Sequence, residues 1–373
     1  MTRPDLGFDI FCRVVDNFGD IGVCWRLAKQ LANRPESGPI RLWVDNTASF
    51  AQIEPTINAG APRQTLGNIE LLHWTDPAPA VVPHKVVIEA FACTPPASFI
   101  SSMQQRGSLW INLEYLSAET WIEGCHALPS LQANGLKKYF FFPGFTEKTG
   151  GLQREPGLAS VRARWLSRPQ PRQRLMREIG MPEPLMERLA TGWRQVCLFC
   201  YPQAPVDAMV KALSSCEQPT VVIVPQGVLS DATALQSKKL QVFEAPFVDQ
   251  NGFDRLLWSS DLNIVRGEDS LVRAIWAGKP FIWHAYPQEG DAHMDKLNAW
   301  LAQARFPAMI DALMRAWNIN DAPAVLQGLQ QALQPEAWST WRCDTANLTR
   351  RLASQSSLVE RLLAFSAEKT RNG

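Results

Sequence analysis

Phe8-Asp9-Ile10-Phe11-Cys12-Arg13-Val14-Val15-Asp16-Asn17-Phe18-Gly19-Asp20-Ile21-Gly22-Val23-Cys24-Trp25-Arg26-Leu27 holds the junction on which the architecture turns. Phe8–Val14 is a largely apolar run of strand length. From Gly22 to Asn33 the apolar positions Val23, Leu27, Ala28 and Leu31 share one helical face. The loop between them carries Gly19 and Gly22, which let the backbone turn tightly and let another molecule approach it closely. Strand, glycine loop and helix in that order open a Rossmann-like unit, but the G-x-G-x-x-G fingerprint is absent. Two carboxylates, Asp16 and Asp20, stand in the loop instead. An acid beside a helix N-terminus is stabilised by the helix dipole, so capping explains either one alone. Two acids with two glycines at the expected mouth of an α/β sheet point to a bound cation, a metal or a guanidinium. They disfavour a phosphate, which they would repel.

Outward from this junction, short apolar runs alternate with helical stretches. Strands are expected at Ile40–Val44, Glu70–Trp74, Val86–Phe91, Leu109–Tyr115 and Lys138–Phe142, then at Val196–Tyr201, Thr220–Val224, Leu240–Glu244, Leu262–Val265 and Pro280–His284. Continuous apolar strands separated by helices predict parallel sheets covered on both faces. Between the two series lie seven arginines from Arg154 to Arg177, with several prolines and few acids. This stretch reads as an exposed connection at a domain boundary. The expected fold class is therefore α/β, with one Rossmann-like domain over residues 1–180 and a second over 181–373 that includes a helical tail. The active site belongs in the cleft between them, at the C-terminal ends of the strands.

A length of 373 residues suits two domains of ordinary size, and 46% hydrophobic with 20% charged residues is a globular balance. The net charge of +1 supplies no global field for nucleic acid or membrane, so neither is an expected partner. No signal peptide and no apolar run of transmembrane length is legible. Cys197 and Cys200 form a lone C-x-x-C on opposite faces of an expected strand, and nothing completes a zinc set. The cysteines read as buried thiols of a cytoplasmic protein.

The second half has its own loop, Arg266-Gly267-Glu268-Asp269-Ser270, between the strand Leu262–Val265 and a helix expected over Ser270–Ala277. That helix has a stop in Gly278 with Pro280 behind it. Its first amides and dipole favour an anion, Arg266 adds a fixed positive charge, and Ser270 adds a hydroxyl. The set suits a diphosphate. Glu268 can accept hydrogen bonds from sugar or ribose hydroxyls or orient Arg266, and Asp269 can cap the helix. An ordinary strand–helix turn with an internal Arg–Glu pair accounts for the same residues equally well.

Two blocks carry a family resemblance. Asp16-Asn-Phe-Gly-Asp-Ile-Gly-Val-Cys-Trp-Arg-Leu27 resembles the signature loop of the protein-arginine rhamnosyltransferases that modify bacterial elongation factor P. Asp261-Leu-Asn-Ile-Val-Arg-Gly-Glu-Asp-Ser-Leu-Val-Arg-Ala-Ile-Trp-Ala-Gly-Lys-Pro-Phe-Ile-Trp-His284, with Tyr286-Pro-Gln288 behind it, resembles the same family. The resemblance implies a GT-B glycosyltransferase fold, a dTDP-β-L-rhamnose donor, elongation factor P as acceptor, an inverting reaction and no required metal or other cofactor. It favours the diphosphate reading of the second loop. It places a glutamine and an aromatic around the nucleotide, which Gln250 and Phe253 match by spacing, and Tyr201 resembles a donor contact. Phe18 and Gly19 count with Arg266, Glu268, Asp269 and Ser270 on the donor side.

The chemistry needs a carboxylate. A guanidinium is cationic at neutral pH and a poor nucleophile, so an enzyme must hold the planar group and accept its proton. Asp20 is the expected general base, Asp16 the group that orients the acceptor, and Glu268 an accessory catalytic carboxylate. Rival readings are a GT-B enzyme with another sugar or acceptor, a sugar-nucleotide epimerase, and a translation-associated binding protein that uses the arginine-rich segment.

Overall fold

Every residue of the strands β1 (Phe8–Cys12), β2 (Ile40–Val44), β5 (Val86–Ala90) and β6 (Leu109–Leu113) is buried, so these runs have no polar face to show to water. They form the middle of a sheet completed by β3 (Arg63–Leu66), β4 (Ile69–His73), β7 (Pro129–Leu131) and β8 (Lys137–Phe141), in the order β3-β4-β2-β1-β5-β6-β8-β7. The strands from β4 to β8 pair in parallel, and β3 and β7 close the two edges antiparallel. The structure is a computed structural model and describes residues 6–15, 18–229 and 235–371.

Charged residues inside these strands are satisfied within the sheet, as burial requires. Asp9 accepts from Arg41 (3.0 Å), the Trp43 indole (2.9 Å) and the His84 amide (2.7 Å). Glu89 accepts from Lys138 (2.7 Å) and the Trp110 indole (3.1 Å).

A second sheet is wholly parallel: β9 (Arg194–Leu198), β10 (Thr220–Pro225), β11 (Leu240–Ala245), β12 (Leu262–Arg266) and β13 (Phe281–His284), in the order β11-β10-β9-β12-β13. In both sheets the chain starts in the middle, runs to one side, then crosses back to the other. The order therefore reverses between β1 and β5 in the first sheet and between β9 and β12 in the second. In open α/β sheets such reversals leave a crevice at the C-terminal strand ends.

The chain divides into one compact unit of residues 1–155 with 355–373, and another of residues 156–354. This differs from the expected boundary at 180 and from a tail wholly in the second half. The tail helix Leu358–Arg371 carries Leu358, Val359, Leu362 and Leu363 into the core formed by Phe8, Ile10 and Ile88, so its apolar face is completed by the first unit. Phe365 packs on Tyr139 and Phe141 with ring centroids 5.5 and 5.7 Å apart.

The arginine-rich stretch begins at the boundary between the units and is exposed along most of its length, as expected, but it is helical rather than a plain connection. It folds as the helices Leu158–Leu166 and Pro169–Glu178, followed by Glu183–Ala190. Leu175, Met176, Ile179 and Met186 pack against Val221 and Ile223 of β10. Two of its arginines act inside the unit: Arg162 donates to the Trp276 carbonyl, and Arg172 donates to Gln195 Oε1 (2.7 Å). Sparse acids and scattered prolines hid an apolar face that repeats only once per helical turn. Among the described residues, no helix is long and apolar enough to cross a membrane.

Candidate functional site

In the first unit, β1 ends at Cys12 and the helix that follows begins at Gly19, three residues before the expected start at Gly22. Asp20 thus lies in the first helical turn, 3% exposed. Its Oδ2 accepts the Val15 amide at 2.8 Å, which ties the loop back onto the helix. Beside it, the buried thiols of Cys12 and Cys24 are hydrogen-bonded to each other. That bond pushes Cys12 well above its usual range, with burial and the Asp20 charge adding to the shift. Burial and Asp20 also raise Cys24 against the lowering effect of its bond to Cys12. These are protonated, inert thiols. Phe18 and Gly19 are half-buried at the helix start. Asp16 lies outside the described residues.

The neighbouring strand ends carry features that sequence reasoning missed. Directly after β5, Phe91, Ala92 and Thr94 adopt φ values of 56°, 55° and 27°, a region that non-glycine residues rarely enter. The turn is pinned: Ala92 N donates to Asn112 Oδ1 (3.1 Å) and Cys93 Sγ to Phe11 O (3.2 Å). Directly after β6 come Glu114 and Tyr115. Tyr115 stacks on Phe91, with centroids 4.4 Å apart and planes at 16°. Asn112 Nδ2 donates to Glu114 Oε1 at 2.5 Å. Burial raises the Glu114 carboxyl above its ordinary range, and the nearby Glu89 charge adds to this while Asn112 opposes it. Only the Pro95-Pro96 pair hinted at a turn here.

In the second unit, the structure brings Tyr201, Phe253 and Arg266 into one cluster. The Arg266 guanidinium lies 4.3 Å from the Phe199 ring centroid and 4.9 Å from that of Tyr201, and its Nη1 donates to Cys200 O (3.0 Å). Phe253 meets Phe199 edge to face at 5.7 Å. Arg266 therefore enters the strand end held by two aromatic faces and a carbonyl rather than hanging free. Gly267 follows with φ +68°, a conformation for which glycine has no Cβ penalty, and its carbonyl accepts the Trp283 indole at 2.8 Å.

The helix after it runs Gly267–Ala277, so Asp269 sits inside the first turn rather than capping, and Arg266 is the N-cap residue without a side-chain cap bond. Ser270 is buried in the same turn. Glu268 pairs with Lys296 on the helix Ala292–Ala304, a partner 28 positions away that no local pattern announced. Gln250, 7% exposed, opens the helix Gln250–Ser259, which Asp249 caps by accepting Gly252 N at 2.7 Å. The buried pair Arg273–Asp254 (2.9 and 2.5 Å) clamps this helix to Gly267–Ala277.

His284, at the end of β13, accepts the Tyr201 amide on Nδ1 (3.3 Å), and its ring meets Tyr201 edge-on at 5.1 Å. Burial, with the charges of Arg266 and His293, lowers it to about 4, so it is a neutral acceptor there. Trp258 and Trp276 are buried in the core of the second unit. No group of three or more His, Cys, Asp or Glu residues that can hold a metal occurs among the described residues.

One switch point thus offers a buried carboxylate with a strained aromatic turn, and the other a guanidinium fixed at a helix start. The profile of the family described as elongation factor P (EF-P) rhamnosyltransferase EarP matches residues 8–367. A protein-arginine rhamnosyltransferase of Pseudomonas aeruginosa is 43% identical over 97% of this chain and 99% of its own length. One of Neisseria meningitidis serogroup B is 35% identical over 98% of both. Among solved structures, the chain resembles one from work on EarP-mediated arginine glycosylation of translation elongation factor EF-P, with TM-score 0.64, 28% identity, and 98% and 99% of the two chains covered. The Arabidopsis thaliana UGT89C1 structure with UDP aligns at TM-score 0.55 and 11% identity over 97% and 99%, a likeness of GT-B fold alone.

Proposed function

The chain belongs to the elongation factor P rhamnosyltransferase family, and from that premise we propose that it moves rhamnose from dTDP-β-L-rhamnose to a guanidinium nitrogen of an arginine in elongation factor P, in the cytoplasm. The activity class, protein-arginine rhamnosyltransferase, comes with the family. The observation that carries the finer reading is the fixed guanidinium of Arg266 at a helix start, with Tyr201 and Phe253 gathered around it.

In this reaction a guanidinium nitrogen attacks the anomeric carbon from the face opposite the diphosphate. The carbon–nitrogen bond forms as the carbon–oxygen bond to the diphosphate breaks, and the configuration inverts. Asp20 takes the proton that the nitrogen loses, and Asp16 orients the guanidinium. Arg266, Ser270 and the amides that open the helix Gly267–Ala277 stabilise the departing dTDP. Gln250 and Phe253 hold the base, Tyr201, Phe18 and Gly19 line the donor, and Glu268 meets sugar hydroxyls while Lys296 holds it. Because Arg266 and helix amides serve the diphosphate, no metal is needed.

The test is intact mass analysis of elongation factor P after incubation with the protein and a panel of nucleotide sugars. A single deoxyhexose added from dTDP-β-L-rhamnose, in the presence of excess chelator, is the expected result. Modification only from another sugar, or only with added magnesium, overturns the donor or metal part. An acceptor with lysine in place of its target arginine should stay unmodified, because a point charge does not present the planar fork.

A further inference from the structure

The first unit holds a second group of polar and aromatic residues beside the Asp20 loop. β1, β5 and β6 are adjacent and parallel, so the residues that follow Cys12, Ala90 and Leu113 leave the sheet at one edge. Three things meet there. The turn after β5 holds Phe91, Ala92 and Thr94 at positive φ, a backbone arrangement that costs free energy and persists only where the surrounding structure holds it. It sets the Phe91 ring against that of Tyr115, which follows β6, and the stacked Tyr115 stays 42% exposed. Next to it stands Glu114, held by Asn112, whose other amide atom holds Ala92. One asparagine thus fixes both the strained turn and the carboxylate.

We propose that Glu114 and the stacked Tyr115–Phe91 pair form the seat for the acceptor arginine, with the guanidinium plane lying along Tyr115 and its charge answered by Glu114. A guanidinium stacks on aromatic faces and binds carboxylates through a planar fork, which an ammonium does not match. A carboxylate half-withdrawn from water gains most from a cation placed against it. The seat holds the acceptor side chain and leaves proton transfer to Asp20. It rests on the proposed arginine acceptor.

Two experiments separate failure of this seat from failure of that reading. With elongation factor P and dTDP-rhamnose, E114Q and Y115A should each raise the acceptor KM about tenfold or more. Their kcat should fall much less, and the donor Kd should stay within a few-fold of wild type. Y115F, which keeps the stack, should restore a near-wild-type KM. Folded variants with unchanged acceptor KM, or with the loss in donor Kd instead, overturn the seat and leave the proposed function standing.

The second experiment needs neither donor nor turnover. Saturation-transfer NMR with arginine amide should show contact to the wild type, weaker contact for lysine amide, and loss of the arginine signal in E114Q and Y115A. Equal signals in wild type and variants overturn the seat, even if the wild type modifies no acceptor.

Discussion

At the scale of single residues, Asp20, the general base of the proposed reaction, sits in the first helical turn as a tie to the loop before it. Its carboxylate accepts the Val15 amide and is almost wholly buried. An asparagine keeps an oxygen for that bond but cannot take a proton at neutral pH. Asp20→Asn is therefore expected to fold, to bind nucleotide sugar within a few-fold of wild type by calorimetry, and to lose transfer. Retained transfer, or lost donor binding, removes Asp20 from the role of base. His284 gives a different kind of prediction. Its folded-state value of about 4 lies below the 6.5 of a free imidazole. Between those pH values the unfolded chain binds a proton that the folded chain refuses, so stability falls as pH drops from 6.5 toward 4 and levels off below. Thermal melts across that window should show the slope, and His284→Gln should flatten its share. An unchanged slope in the variant would mean His284 is not held neutral.

At the scale of elements, the helices of residues 158–190 change what the arginine-rich stretch means. Arg162 reaches the C-terminal end of the helix Gly267–Ala277, where a cation meets exposed carbonyls and the negative end of the dipole. It also closes over Gly278, whose added Cβ would sit 2.8 Å from Arg162 Nη1. Arg172 holds Gln195, which in turn donates to Ser259 and Ser260 at 2.9 and 3.0 Å. Arg164 and Arg177 are exposed. Arg162→Gln and Arg172→Gln should each cost about 1–3 kcal/mol and lower the melting temperature. Arg164→Gln and Arg177→Gln should leave it unchanged. If the exposed pair instead weakens acceptor binding at low salt, the stretch has a recognition role besides its structural one.

At the scale of the whole molecule, the division into units makes the tail part of the first. Leu358, Val359, Leu362 and Leu363 are buried in its core. Burying one such side chain is worth roughly 1.5–3 kcal/mol, so removing four approaches the whole stability of an ordinary domain, about 5–15 kcal/mol. Truncation after Ser354 should leave the first unit unfolded, read as loss of its protected amides in hydrogen exchange. The sheet of the second unit should stay protected. Intact protection of β1, β2 and β5 in the truncated chain would show that the tail only decorates the core.

The sequence by itself determined the parallel sheets and the helix around each loop, because both depend on local patterns. Fully buried strands read as unbroken apolar runs, and Gly267 and Gly278 mark positions where only a residue without a side chain is at ease. It also placed Asp20, Arg266 and Ser270 at the two strand-to-helix junctions, since a glycine-bearing run between an apolar strand and a periodic helix is local to read. Several strand ends were expected one to three residues too far along the chain, because the apolar run continues past the last ladder bond, as at Phe91 and Tyr201. The tertiary structure alone decided which distant residues meet. Lys296 reaches Glu268, Tyr115 stacks on Phe91, His284 holds Tyr201, and the tail returns to the first unit. Each of these contacts spans a chain separation over which sequence periodicity carries no information, and each is fixed by which strand lies beside which.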